Sequence, residues 1–167
     1  MEFACGFSRI FDYLDGMKKF LFLTIAVVIL MVSPAYAFAG PLDDLIGDKR
    51  AILLFTKSRS EASLDRQISL FSKQRFDLDD RDIVVLHTVD GRNTMAVFGY
   101  ARMSDGTGRQ LAQIYEPERN GLTIVLIGKD GTEKGRWQGV TDPQIIFDLI
   151  DTMPMRKQEI ESGAAGG

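Results

Sequence analysis

One cysteine, Cys5, is the whole of this chain's thiol, and one histidine, His87, the whole of its imidazole. Cys5 lies upstream of every stretch that reads as folded, so the body of the chain has neither a disulfide framework nor a Cys-x-x-Cys pair. A nucleophilic triad would require His87, and no Gly-x-Ser-x-Gly elbow accompanies it. A lone histidine near a strand end is read as structural. Charge of one sign is also lacking. The net charge is −3 over 167 residues, which offers no basic field for phosphates and excludes nucleic acid as the expected partner. Internal repeats are absent, and the sole low-complexity piece is Ser162 to Gly167. What remains is ordinary globular composition, 45% apolar and 26% charged, and a length that suits one domain.

The one long hydrophobic run is N-terminal. Lys18 and Lys19 precede an apolar stretch from Phe20 to Val32, and Ser33-Pro34-Ala35-Tyr36-Ala37 follows. A basic start, an apolar centre of this length and an Ala-x-Ala site make a secretory signal over residues 17–39. Cleavage after Ala37 or after Ala39 fits equally, and no cysteine at the site marks a lipoprotein. The competing reading is an uncleaved anchor, although spanning takes about 20 apolar residues. Residues 1–16 carry Glu2, Asp12 and Asp15 against Arg9 alone, the wrong sign for a signal start. We read Met17 as the true initiator. The exported domain, residues 40–159, is then cysteine-free and expected in the periplasm or outside the cell, with 160–167 a flexible tail.

Within that domain the pattern alternates between strands and helices. Asn120 to Gly139 carries the clearest signal. Leu122 to Ile127 is an unbroken β-branched run of the kind buried on both faces. Gly128-Lys129-Asp130-Gly131 turns the chain, and Thr132 to Gln138 returns as a polar edge strand. Ala51 to Thr56 and Ile83 to Leu86 are two further buried strands, and a parallel pair needs the helix between them. In that helix Leu64, Ile68 and Phe71 form the inward stripe, Ser58 and Glu61 have capping-box spacing, and the end falls near Arg75. Asp77 to Arg81 reads as a loop. Asp90 to Gly108 reads mainly as loop, with Met95 to Phe98 a candidate short strand. Leu111, Ile114 and Tyr115 give a second helix capped by Asp105 or Thr107. The last helix opens at Thr141-Asp142-Pro143, turns Ile145, Ile146, Leu149, Ile150 and Met153 inward, and closes at Pro154. The order β-α-β-α-β-β-α is an α/β fold with helices on both faces of a mixed sheet. It is the three-layer thioredoxin-like arrangement, with a C-terminal antiparallel hairpin.

This order resembles the domain-of-unknown-function family number 4174, small exported proteins with a thioredoxin- or peroxiredoxin-like fold. Related domains occur in animal extracellular-matrix and sushi-repeat proteins. The resemblance rests on the hairpin, on Arg81-Asp82-Ile83-Val84-Val85, and on the ending Asp151-Thr152-Met153-Pro154-Met155-Arg156, and it covers Leu42 to Glu159. It implies the fold and carries no established reaction. A redox thioredoxin places its cysteines in the loop after strand one. Here that loop is Thr56-Lys57-Ser58-Arg59-Ser60-Glu61, and serine forms no comparable nucleophile or leaving group for disulfide exchange.

Two candidate surfaces follow. Lys57, Ser58, Arg59 and Ser60 at a helix start offer cations and free N–H groups to an anion. Topology brings Thr88, Leu122 and Thr123 to the same sheet end. Met155 and Arg156 are the candidate partner surface, since exposed methionine adapts to varied contacts. No metal site is expected. Asp77, Asp79, Asp80 and Asp82 lack the glycine and glutamate of a calcium loop, Asp82 and Thr88 standing at those positions. No cofactor is expected either, as Asp105 to Arg109 matches no nucleotide fingerprint. The expectation is a binding or interaction module for an unknown protein or small anionic ligand of the cell envelope. The alternatives are a non-thiol enzyme using Lys57, Arg59 or His87 at the strand ends, and an envelope protein held by an uncleaved N-terminal helix, the only case with a membrane contact.

Overall fold

Three apolar runs set the centre of the fold. In the computed structural model, which describes residues 40–163, β1 (Arg50–Thr56), β2 (Ile83–Val89) and β4 (Thr123–Ile127) are buried along almost their whole length. The sheet order is β3-β2-β1-β4-β5, with β3 spanning Asn93–Phe98 and β5 Glu133–Gln138. β1 and β2 run parallel, Arg50 facing Ile83 and Phe55 facing Thr88. β4 is antiparallel to β1 and returns through the expected hairpin to β5, while β3 pairs antiparallel to β2. The two edge strands carry only exposed and half-buried residues, as edges facing water do.

Period-two alternation splits the strands into two cores. Ile52, Leu54, Val85, Ile124 and Leu126 pack beneath Leu64, Phe71, Phe147 and Ile150. These come from α1 (Ala62–Lys73) and α4 (Pro143–Asp151). Leu53, Phe55, Leu86, Val125 and Ile127 point the other way, toward Leu42, Leu45 and Leu111. Leu45 belongs to a 3-10 turn at Asp43–Leu45 that Leu42 immediately precedes, and Leu111 to α3 (Thr107–Tyr115). The result is the three-layer, thioredoxin-like α/β/α arrangement read from the sequence. Each fully buried Leu, Ile or Phe here contributes about 1.5–3 kcal/mol of transfer free energy.

Several elements depart from the sequence reading. α1 ends at Lys73, and the stretch expected as loop is a short helix, α2 (Arg75–Asp80), pinned by the buried Leu78. The expected capping box is half made. Glu61 accepts from the Ser58 N–H at 3.2 Å, but the helix begins only at Ala62 and Glu61 itself holds the cap position. α3 is capped by Gly106, with Thr107 accepting instead from the Ser104 N–H. Ile114 and Ile145, expected inward, are 56% and 53% exposed. α4 ends before Pro154 as expected. Pro154 then opens another helix, α5 (Pro154–Ser162), which was not expected and which takes in residues 160–162 of the expected flexible tail. Proline suits a first helical position because its missing N–H would have had no partner there. The signal segment, Cys5 and residues 164–167 lie outside the described residues.

α5 has no apolar stripe, and its one buried residue is Arg156. Ion pairs hold it. Glu159 accepts two hydrogen bonds from Arg50, at 3.1 and 3.0 Å, and meets Lys129 at 2.8 Å. Lys129 and Lys49 both reach Asp82, at 2.8 and 3.0 Å. Arg156 donates to the Asp80 carbonyl at 2.8 Å and to its carboxylate, and sits 3.3 Å from Asp151. Arg81 grips Asp151 with two bonds, 3.0 and 2.7 Å, and its guanidinium lies over the Phe147 ring at 4.9 Å. The Arg81-Asp82, Lys129 and Asp151-to-Arg156 signals, scattered through the sequence, thus meet in one network at the start of β1.

Candidate functional site

The opposite end of the sheet carries the cleft that the topology implies. β1 ends at Thr56, whose carbonyl accepts from the Asp90 N–H at 2.8 Å and so carries the pairing one residue past β2. The β2–β3 turn follows, with Asp90 at φ 50° and Gly91 at φ 58°. From the other side α3 ends at Glu116, φ 40°, and Pro117 leads the chain away. Together Phe55, Thr56, Lys57, Asp90, Gly91, Ala112 and the run from Glu116 to Arg119 enclose a hollow of about 430 Å³. Left-handed φ costs a non-glycine residue roughly 1 kcal/mol. Among the described residues only Asp82, Asp90 and Glu116 adopt it without being glycine, and two of the three line this hollow.

The predicted site residues divide around it. Thr88 and Thr123 flank Phe55 at the same sheet end, as topology required. Both are buried, however, and both hydroxyls are engaged, Thr88 with Thr94 at 2.9 Å and Thr123 with Gln138 at 3.0 Å. Leu122 is buried in the core beneath α1 and α4. Lys57 lines the hollow, whereas Ser58, Arg59 and Ser60 do not. The Lys57 and Ser58 N–H groups already donate to Glu61, at 3.0 and 3.2 Å. A carboxylate of the chain itself therefore sits where an external anion would have bound. Ser58 and Ser60 pair with each other at 3.1 Å.

His87 does not reach the hollow either. It is buried on the strand, and Nε2 lies 2.7 Å from the Thr56 hydroxyl. That hydroxyl also donates to the Ser58 carbonyl at 2.8 Å. One hydroxyl proton serves one acceptor, so satisfying both contacts assigns the Nε2–H tautomer to His87. Burial, reinforced by the nearby Arg59 charge and only partly opposed by Glu61, holds its pKa below the ordinary 6.5. The ring fixes the start of the β1–α1 loop; it is not placed to exchange protons with a ligand in the hollow. Of the expected partner surface, Met155 is 42% exposed, but Arg156 is 3% exposed and committed to the ion network. Arg156 is a structural residue, drawn inward because α5 has no apolar face to bury.

No cysteine occurs from Gly40 onward. Thiol–disulfide exchange and thiol peroxidase chemistry are therefore excluded. Among the described residues no three metal-ligating side chains cluster, and no helix is long and apolar enough to cross a membrane. Sequence reasoning missed the Asp90-Gly91 turn and the Glu116 to Arg119 wall. The Asp-Gly pair after β2 and the proline after α3 were their only marks.

Comparison with known proteins gives three findings. A family model described as Domain of unknown function (DUF4174) matches residues 41–159. The human sushi repeat-containing protein SRPX is 29% identical over 124 residues, covering 73% of this chain and 27% of that protein. The rat SRPX2 protein is 27% identical over the same length, covering 73% and 26%. The chain thus spans about a quarter of the curated relatives it matches. Among solved structures the Plasmodium vivax 2-Cys peroxiredoxin in its reduced form superposes with a TM-score of 0.52 at 14% identity, covering 70% of this chain and 72% of that one. At that identity the likeness is one of fold.

Proposed function

Since the chain belongs to the DUF4174 family, whose likeness to peroxiredoxins is one of fold alone, we propose that it is an exported binding module. Its strand-end hollow takes a segment of a partner protein. The observation that supports this reading is the hollow itself, about 430 Å³ and walled in part by two strained backbone positions, Asp90 and Glu116. Strain of this kind persists where the surroundings enforce it, and it concentrates at binding sites. The lining supports a peptide over a small anion. Lys57 and Arg119 stand with Asp90, Glu116 and Glu118, while Phe55, Ala112 and Pro117 give apolar contact. Such mixed charge suits a chain carrying side chains of both signs, and the loop's N–H groups are already taken by Glu61. The non-thiol enzyme reading lacks such support, because His87 and Arg59 do not line the hollow.

Lys57 and Arg119 are exposed, so charge reversal leaves the core intact. In affinity capture from an envelope extract, Lys57→Glu/Arg119→Glu should lose what the wild type retains, and Met155→Ala should keep it. Equal capture by the double variant and the wild type would refute the strand-end assignment. The placement in the periplasm or outside the cell is part of the same proposal, and fractionation with N-terminal sequencing tests it.

A further inference from the structure

At the other pole, between the β4–β5 turn and the start of α5, Arg50, Gly128, Lys129, Asp130, Lys134 and the Met153 to Met155 turn enclose a second hollow of about 210 Å³. We infer that it is a binding site for a carboxylate bearing a short apolar body, independent of the strand-end cleft.

Three observations converge. The lining includes three cations, of which Arg50 and Lys129 are held from behind by Glu159 and Asp82, while Lys134 is held, among the described residues, only by Asp130 at the rim. Next, α5 begins here without a side-chain cap. Its Met155 and Arg156 N–H groups belong to the first turn, where no intrahelical acceptor exists and the helix end is favourable to negative charge. The third observation is independent of the helix. Arg50 is 1% exposed, its Nη atoms are bonded to Glu159 and to the Arg81 carbonyl, and its buried Nε has no acceptor among the described residues. An unsatisfied donor on a buried cation is costly, and an acceptor in this hollow would relieve it. Met153, Pro154 and Met155 supply the apolar wall. The volume accommodates a group of a few carbons. Asp130 now holds Lys134 at 2.6 Å, so an incoming carboxylate competes with it for the ammonium.

The site is tested by titrating the isotope-labelled protein with sodium butyrate, and with a tripeptide ending in Val as free acid or as amide, against sodium chloride at equal ionic strength. A free metabolite and a chain terminus are the two sources of this chemistry, and the butyrate and peptide arms separate them. Saturable movement of the Arg50 Nε–H signal with the Met155 and Arg156 amides, by either free acid and not by the amide, supports the site. Lys134→Gln should weaken that binding at least about ten-fold. Asp130→Asn, which frees Lys134, should tighten it about three-fold or more, an effect that a purely structural role for this turn does not produce. Equal response to the amide, movement no larger than with chloride, or weaker binding by Asp130→Asn would overturn the inference.

Discussion

Replacing Glu159 by alanine should be among the most damaging single changes in this domain, although Glu159 lies on a helix that buries almost nothing else. The side chain is 14% exposed and is, among the described residues, the only carboxylate bonded to Arg50, itself 1% exposed. Its loss leaves a buried guanidinium with the Arg81 carbonyl as its one remaining partner. Removing one member of a buried ion pair costs about 3–5 kcal/mol, because the surviving charge is stranded. With a urea dependence of about 2 kcal/mol per molar for a domain of this size, the midpoint should fall by roughly 1.5–2.5 M. Trp137, the chain's only tryptophan, is half-buried against the larger core and reports the transition by fluorescence. The exposed pair Arg136–Glu133 is the internal control. Glu133→Gln should cost less than about 1 kcal/mol, as surface pairs do. Arg50→Met/Glu159→Leu removes both charges and should recover most of the loss. A Glu159→Ala midpoint within about 0.5 M of wild type, equivalent to roughly 1 kcal/mol, would refute the claim that this network anchors α5.

Acid should act through the same network. Burial pushes the carboxyls of Glu159, Asp82 and Asp151 upward, but the bonds from Arg50, Lys129, Lys49, Arg81 and Arg156 outweigh it and hold all three below their ordinary values. Their stabilisation is complete above the unfolded range near pH 4 and is lost as pH falls through the lower folded values. Urea midpoints should therefore drop steeply below about pH 4.5 in the wild type and less steeply in Glu159→Ala. His87 contributes at higher pH: its pKa is depressed in the fold, so stability is lost as pH falls from about 6.5 toward the folded value. His87→Gln should flatten the midpoint between pH 7.5 and 5.5, and an unchanged slope would show that the ring is not buried neutral. Gly108→Val would bring a Cβ to 2.5 Å from the Arg92 carbonyl oxygen, and should lower stability by about 1–3 kcal/mol in the same urea assay.

The strands buried on both faces were legible because burial there is a property of consecutive residues. Ile52 to Phe55, Val84 to Leu86 and Ile124 to Ile127 announce themselves as apolar runs. β3 was legible only in its second half, since Asn93 and Thr94 open it and no residue in it is fully buried. α2 has one buried side chain, Leu78, among aspartates that resemble a solvated connection. α5 was hidden for a different reason. Its fold-determining contacts are charge to charge, and a run such as Arg156-Lys157-Gln158-Glu159 looks the same whether its charges face water or one another. Arg50 shows the same limit at the head of β1, a polar residue at a strand start that is among the most buried side chains. Gln67 is another, buried in α1 and bonded twice to the Thr141 backbone, at 3.0 and 2.8 Å. Of the strand-end hollow, the Lys57 wall followed from strand order. The Glu116 to Arg119 wall depends on how α3 leaves the sheet, which backbone dihedrals decide.

The most direct measurement of the proposed function is site-specific photo-crosslinking in intact cells. A photoreactive residue would be placed in turn at Glu118 on the rim of the strand-end hollow, at Met155 beside the second hollow, and at Phe76, which is 90% exposed and lines neither. The account predicts a discrete protein adduct from position 118, lost with Lys57→Glu, and none from position 76. Adducts that form at 76 or 155 while position 118 stays silent would contradict it.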